Sequence, residues 1–229
     1  MSSERAVAHV VGARPNFMKA APVLAALRRK AVPQVLIHTG QHYDPLLSDV
    51  FFADLGLPQP DLNLGVGSGT HAEQTAALMV GLERALTDLA PPLTIVYGDI
   101  NSTLAAALVT AKLRLPLAHV EAGLRSFDDS MPEEINRRVT DLLSALLFVT
   151  SPEGVDNLEA MGVARSAIHF VGNPMIDTLL ASIDRLDPAP VMAALGVSRP
   201  YGVATLHRPG NVDDPTQARR MVAMLRDAA

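Results

Sequence analysis

Leu115-Pro-Leu-Ala-His-Val-Glu-Ala-Gly-Leu-Arg125, continued by Ser126-Phe-Asp-Asp-Ser-Met-Pro-Glu-Glu-Ile-Asn-Arg-Arg138, is the stretch that decides the architecture of this chain. Residues 115–120 read as an apolar strand running into Glu121. A loop carrying Arg125, Asp128 and Asp129 follows, and Met131-Pro132-Glu133-Glu134 opens a helix expected over 133–146. Proline suits a first helical turn, where its missing N–H would be unbonded anyway. Carboxylates in that turn meet the positive end of the helix dipole. Glu121 is therefore expected at the carboxyl end of a strand, and Glu133 at a helix N-terminus one loop later. In an open α/β sheet that edge binds ligands. Carboxylates with a guanidinium between them suit acid–base work on an anionic substrate. Glu133 and Glu134 also have an ordinary explanation as helix-start charges.

The same unit recurs upstream. Residues 6–11 are a β-rich run ending in Gly12-Ala13-Arg14-Pro15-Asn16, and Phe17, Ala21, Leu24 and Leu27 mark a helix to about residue 30. Arg14 and Lys19 fall near its N-terminus, where backbone N–H groups attract anions. Neither a G-x-G-x-x-G fingerprint nor a P-loop lysine motif is present, which disfavours a dinucleotide or ATP site. A strand over 34–39 leads to Gly40-Gln41-His42-Tyr43-Asp44 and a helix over 45–55. The glycine-rich run 65–69 follows no convincing strand and reads as a connection. Thr70 and Glu73 form a capping box for a helix to about residue 89. The apolar run 93–97 is a strand covered on both faces. It ends in Gly98-Asp99, before a helix over 105–113, so Asp99 occupies the same kind of position as Glu121. The alternative for Asp99 is a helix N-cap.

Downstream, a strand over 147–150, a helix opened by Ser151-Pro152-Glu153 and a strand over 168–171 continue the alternation. Strands and helices that alternate without hairpin signals imply an α/β fold with a doubly wound parallel sheet. Residues 1–173 form the expected first Rossmann-like domain. Residues 174–198 read as linker helices broken by Asp187-Pro-Ala-Pro190, and 199–229 as the start of a second α/β domain. There a strand over 202–206 runs into His207-Arg208-Pro209, before a helix from 215 onward. One strand and one helix cannot close a core. The expectation is that the chain stops shortly after this second domain begins.

Composition narrows the chemistry. With 229 residues, 48% of them hydrophobic, there is material for a sizeable core. No cysteine is present, which excludes disulfides, thiolate metal sites and cysteine catalysis. A net charge of −5 gives no footprint for nucleic acid. An anionic ligand would need a local cluster, for which Arg14, Lys19, Arg125 and Arg137 are the candidates. No run approaches the ~18 apolar residues of a membrane span, so a soluble cytoplasmic protein with no membrane partner is expected. His119 and Glu121 lie two apart on one strand face, but no second histidine stands at a ligand spacing, so neither metal nor cofactor is expected. No G-x-S-x-G elbow supports a serine hydrolase.

In one order the chain carries Gly12-Ala-Arg-Pro-Asn-Phe-Met-Lys19, Thr39-Gly-Gln-His42, Tyr97-Gly-Asp99, His119-Val-Glu-Ala-Gly-Leu-Arg125, Met131-Pro-Glu-Glu-Ile-Asn-Arg137, Gly172-Asn-Pro174 and Leu206-His-Arg208. That series closely resembles the non-hydrolysing UDP-N-acetylglucosamine 2-epimerases, over nearly the whole chain. The resemblance implies a B-type glycosyltransferase architecture of two Rossmann-like domains, a UDP-sugar substrate, a homodimer and no cofactor. It implies interconversion of UDP-N-acetylglucosamine and UDP-N-acetylmannosamine through elimination of UDP, for surface-polysaccharide synthesis. By motif match Asp99, Glu121 and Glu133 would be acid–base carboxylates, with His207 at the leaving group. Arg14 and Lys19 would face the diphosphate or the bound intermediate, and Arg125 and Arg137 complete the anion-binding set. Gln41 and His42 resemble part of an activator site. The resemblance also implies a further ~150 residues to complete the second domain. The rival readings are a non-catalytic nucleotide-sugar-binding module, or a hydrolysing epimerase or other B-type glycosyltransferase relative.

Overall fold

The computed structural model describes residues 5–40, 52–206 and 213–228, so Gln41, His42 and His207 lie outside the described residues, as does most of the helix expected over 45–55. Described residues fall into two compact units, Met1–Asp184 and Arg185–Ala229.

The first unit is built on a seven-stranded sheet ordered β3-β2-β1-β4-β5-β6-β7, parallel at every pairing. Its strands are β1 (Val7–Val11), β2 (Gln34–His38), β3 (Leu62–Asn63), β4 (Thr94–Tyr97), β5 (Leu117–Ala122), β6 (Leu146–Val149) and β7 (Ile168–Phe170). The helices of this unit are α1 (Arg14–Arg29), α2 (His71–Leu89), α3 (Asn101–Lys112), α4 (Pro132–Leu143), α5 (Pro152–Ala160) and α6 (Pro174–Ser182). The doubly wound parallel architecture read from the alternation is the one observed.

Side-chain alternation along the strands supplies a core on each face. Ala8, Val10, Ile37 and Val96 meet Leu78, Leu82 and Leu86 of α2 and Ala105, Ala106 and Val109 of α3. On the other face Val11, Leu36, Ile95, Tyr97, Ala118 and Val120 meet Phe17, Ala20 and Leu24 of α1. Each buried Leu or Phe contributes roughly 1.5–3 kcal/mol by leaving water. Two-sided burial explains why these strands are continuous apolar runs.

The capping box of α2 is present: Thr70 accepts from the Glu73 N–H, and Glu73 accepts from the Thr70 N–H at 3.1 Å. Two expectations change. Leu62–Asn63, where no strand was expected, pairs with β2 as a two-residue strand. Residues 202–206, read as a strand, form none. In the second unit, α7 (Ala189–Leu195) and α8 (Pro215–Ala228) are the helices among the described residues. Val203 there is 83% exposed, because without a neighbouring strand its backbone has no ladder to join. Residues from 174 onward, read as a linker, begin with α6, whose Thr178 hydroxyl donates to the Met18 carbonyl of α1 at 2.6 Å.

Candidate active site

The chain winds from β1 to β2 and β3 on one side, then crosses to β4 and proceeds to β7 on the other. The order reverses between β1 and β4, and parallel sheets of this kind bind ligands in the crevice beyond that point. The β1–α1 turn delivers Arg14 and Lys19 to this edge; the β4–α3 turn delivers Asp99, and the end of β5 delivers Glu121.

Lys19 Nζ donates to Glu121 Oε2, with both side chains largely buried. The pairing depends on two backbone features. Between Val120 and Ala122 the register of β5 against β6 shifts, and Glu121 adopts a φ of +76°. A left-handed backbone at a non-glycine residue costs of order 1–3 kcal/mol and persists only where its surroundings over-determine it. Second, Gly98 takes a φ of +61°, and a Cβ there would lie 2.8 Å from Lys19 Nζ and 3.3 Å from Glu121 Oε2. The absent side chain is the space the ion pair occupies. Asn16 braces the same turn, its amide donating to the Tyr97 carbonyl at 2.8 Å while its Oδ1 accepts from the Gly12 N–H.

Asp99 does not cap α3: the cap position is Ile100, with no side-chain bond. Instead the Asp99 carboxylate receives Arg137 Nη2 at 2.6 Å. Arg137 also reaches Glu134 at 3.2 Å. Burial alone would lower the Arg137 pKa, but the charges and hydrogen bonds of Asp99 and Glu134 outweigh it and raise it. Asn136 holds the Asp99 carbonyl at 2.8 Å.

The adjacent glutamates of α4 differ sharply. Glu134 is buried and accepts from the Ser126 N–H at 2.9 Å and its hydroxyl at 3.1 Å. Burial pushes its pKa up, yet the Ser126 bonds, Arg137 and the Arg125 charge together hold it below the ordinary value. Glu133, half-buried at the first turn, has no hydrogen-bond or ion-pair partner among the described residues. Glu134 therefore fastens the loop, and Glu133 has no such tie among the described residues.

Two cationic candidates remain. Arg14 is exposed at the first position of α1. Arg125 turns inward: its guanidinium, 4% exposed, donates to Asp141 Oδ2 and to the Leu124 carbonyl, both at 2.6 Å. The structure thus brings Lys19 to Glu121 and Arg137 to Asp99, but does not bring Arg125 to either carboxylate.

His119, considered as a metal ligand from its spacing to Glu121, is fully buried, and the bulge interrupts the alternation that would have set the two side by side. Its Nε2 donates to the Gly98 carbonyl at 2.8 Å, and its Nδ1 meets Asp141 Oδ1 at 2.7 Å. Among the described residues no cluster of three metal-binding side chains is formed. No described helix is long and apolar enough to cross a membrane. Glu134, Asn136 and Asp141 were missed as site builders. Their signal was present in α4, which buries those polar residues while leaving Ile135 52% and Leu142 62% exposed.

Comparison with known proteins places the chain in a family. The family model for UDP-N-acetylglucosamine 2-epimerase matches residues 25–229. The chain is 40% identical to a UDP-2,3-diacetamido-2,3-dideoxy-D-glucuronate 2-epimerase of Pseudomonas aeruginosa, over 95% of this chain and 62% of that one. It is 39% identical to a UDP-N-acetylglucosamine 2-epimerase of Methanocaldococcus jannaschii, over 93% of this chain and 59% of that one. The crystal structure of the M. jannaschii UDP-GlcNAc 2-epimerase in complex with UDP-GlcNAc and UDP superposes with a TM-score of 0.88 at 38% identity, covering 96% of this chain and 62% of that one. The chain thus spans about three-fifths of the length of these relatives. With the parallel sheet, the paired carboxylates at its switch point and these matches, the chain belongs to the UDP-N-acetylglucosamine 2-epimerase family.

Proposed function

We propose that this chain is the acid–base half of an enzyme interconverting UDP-N-acetylglucosamine and UDP-N-acetylmannosamine, for surface-polysaccharide precursors. The observation that carries the reading is the pair of carboxylates at the sheet's switch point, Asp99 and Glu121, each matched to its own cation, Arg137 and Lys19. The C2 proton of such a sugar is not adjacent to a carbonyl, so simple deprotonation is slow. Elimination avoids the problem. One carboxylate takes the C2 proton, the C–H electrons form a C1=C2 double bond, and the C1–O bond breaks to release UDP with its electron pair. Return of a proton to the opposite face of C2, and of the UDP oxygen to C1, gives the epimer. Hydrogen leaves and returns as a proton, so no redox cofactor is needed.

Asp99, Glu121 and Glu133 are the proposed acid–base groups, with acid–base positioning contributing ~10²–10⁴ in rate. Arg14, at the head of α1, and Lys19, in its second turn beside Glu121, support the diphosphate, with Arg137 holding Asp99 in place. Arg125 is reassigned to holding the loop through Asp141. His207 at the leaving group and Gln41 and His42 at an activator site are supported by the motif resemblance alone. The division into a first domain over 1–173, linker helices over 174–198 and a nucleotide-binding domain beginning at 199 belongs to the same reading. So does inactivity of this chain by itself, since holding UDP beside the intermediate is a proximity effect of ~7–11 kcal/mol. A homodimer is included, supported by the exposed Ile135 and Leu142 of α4, as is a cytoplasmic location, where a diffusible UDP-sugar is met.

A second substrate, UDP-2,3-diacetamido-2,3-dideoxy-D-glucuronate, is favoured by the 40% identity to the enzyme of that name. Its C1 and C2 chemistry is the same. Proton NMR of the complete enzyme in D₂O with each UDP-sugar separates the readings: the true substrate acquires deuterium at C2 as its epimer grows. Glu133→Gln is expected to slow that reaction ~10²–10⁴-fold. An unchanged rate would remove Glu133 from the mechanism.

A further inference from the structure

We propose that His119 and Asp141 are positioning residues that set the spacing between the Asp99 turn and the Glu121 strand end. The inference rests on the epimerase reading and adds to it a buried clamp. At one end His119 Nε2 donates to the carbonyl of Gly98, the peptide that aims Asp99. At the other end Asp141 Oδ2 accepts the N–H of Gly123, two residues beyond Glu121, at 3.2 Å. The Gly123 carbonyl is held in turn by Asn157 of α5 at 2.9 Å. Between the two ends lies the His119–Asp141 bond, with both side chains at 0% exposure.

The hydrogen-bond inventory defines the clamp's chemistry. The Gly98 carbonyl only accepts, so Nε2 carries a proton. Burial pushes the Asp141 carboxyl up, but the bonds and charges of His119 and Arg125 hold it below its ordinary value, so it too accepts. With Nε2 donating to Gly98, the bond at Nδ1 ties the ring to Asp141, which stands between His119 and the Arg125 guanidinium. Neither residue is open to substrate; each acts through backbone it holds. Elimination and re-addition need acid–base groups on both faces of C2 at a fixed separation, and this clamp spans the two turns that carry them.

The test uses the complete enzyme and two variants of one residue. His119→Asn keeps a donor near the Nδ1 position, facing Asp141, and loses the bond to Gly98. His119→Gln keeps a donor near the Nε2 position, facing Gly98, and loses the bond to Asp141. The readout is the ratio of released 2-acetamidoglucal to epimer, measured by NMR beside kcat and KM. This ratio does not change when only the fraction of folded enzyme changes. His119→Asn is expected to raise the ratio about tenfold and lower kcat, with KM within about twofold. His119→Gln, which severs the same clamp at its Asp141 link, is expected to raise the ratio as well. A wild-type ratio in either folded variant would overturn the proposal. Should neither variant fold, the half-buried Asn157→Ala carries the test: a raised ratio supports the clamp and a wild-type ratio overturns it. Wild-type enzyme that makes neither glucal nor epimer would instead overturn the epimerase reading.

Discussion

Two histidines, His9 on β1 and His119 on β5, are equally inaccessible to solvent, and they are bonded in opposite ways. His119 spends both ring nitrogens, on Gly98 and Asp141. His9 makes one well-formed bond, to the Tyr97 hydroxyl at 2.7 Å, while the Gln34 side chain influences the ring without forming a bond of good geometry at Nε2. Burial, opposed in part by the Gln34 side chain, lowers the His9 pKa to about 4. The same burial raises that of Tyr97. The difference follows position along the strand. His9 lies in mid-sheet, where apolar side chains surround it and polar partners are scarce. His119 lies one register step further towards the carboxyl edge, within reach of a turn carbonyl and an inward-facing carboxylate on α4. Burial depth alone does not reveal which polar residue is wired to the site; the partner list does.

That contrast can be broken most forcefully at Asp141. Asp141→Asn removes the charge that pairs with Arg125 and the carboxylate bonded to His119, leaving the buried guanidinium uncompensated. Breaking a buried ion pair in this way costs about 3–5 kcal/mol, to be read as a lower urea midpoint. A loss under about 1 kcal/mol would mean the network relaxes without its centre, and His119 would then resemble His9.

The His9 side is sharpened by acid. Unfolded, this histidine titrates near 6.5; folded, near 4. Between those values the unfolded chain binds a proton that the folded chain refuses. Stability is therefore complete above 6.5, falls as pH drops towards 4, and levels off below. The full effect is about 3 kcal/mol. Urea denaturation from pH 7 to 4 of the parent and of His9→Phe measures it, and the variant should show a shallower slope. Parallel slopes would assign the acid sensitivity elsewhere.

The smallest expected effect calibrates both. Thr70→Ala removes an exposed capping box at α2, a loss of about 1 kcal/mol. A larger loss would show that solvent-facing bonds count here as much as buried ones.

What the sequence disclosed depended on the range of the signal. Helix and strand alternation, the capping box at Thr70 and Glu73, and the placement of Asp99 and Glu121 at strand ends are local patterns, and they were legible. Leu62–Asn63 was not, because two residues carry no periodicity. The left-handed Glu121 was not either, because a bulge is decided by the neighbouring strand rather than by the residue itself. Asp141 escaped for a third reason. Its helix turns polar side chains inward and Ile135 and Leu142 outward, the reverse of the pattern by which amphipathic helices are read.

For anyone re-engineering this site by directed evolution, Gly98 sets a boundary on the search. Its missing methyl is filled by the ammonium of Lys19, and its backbone already sits at a φ of +61°. In a library that varies the acid–base residues together with position 98, every non-glycine clone carries a strained left-handed backbone and must shift the Lys19 ammonium from its present place. Gly123 presents the same restriction at the other turn, where a Cβ would run into the Gly154 carbonyl. The evolvable positions lie between two that are held empty, so new specificity must be sought in the side chains facing the sugar, with both glycines kept constant.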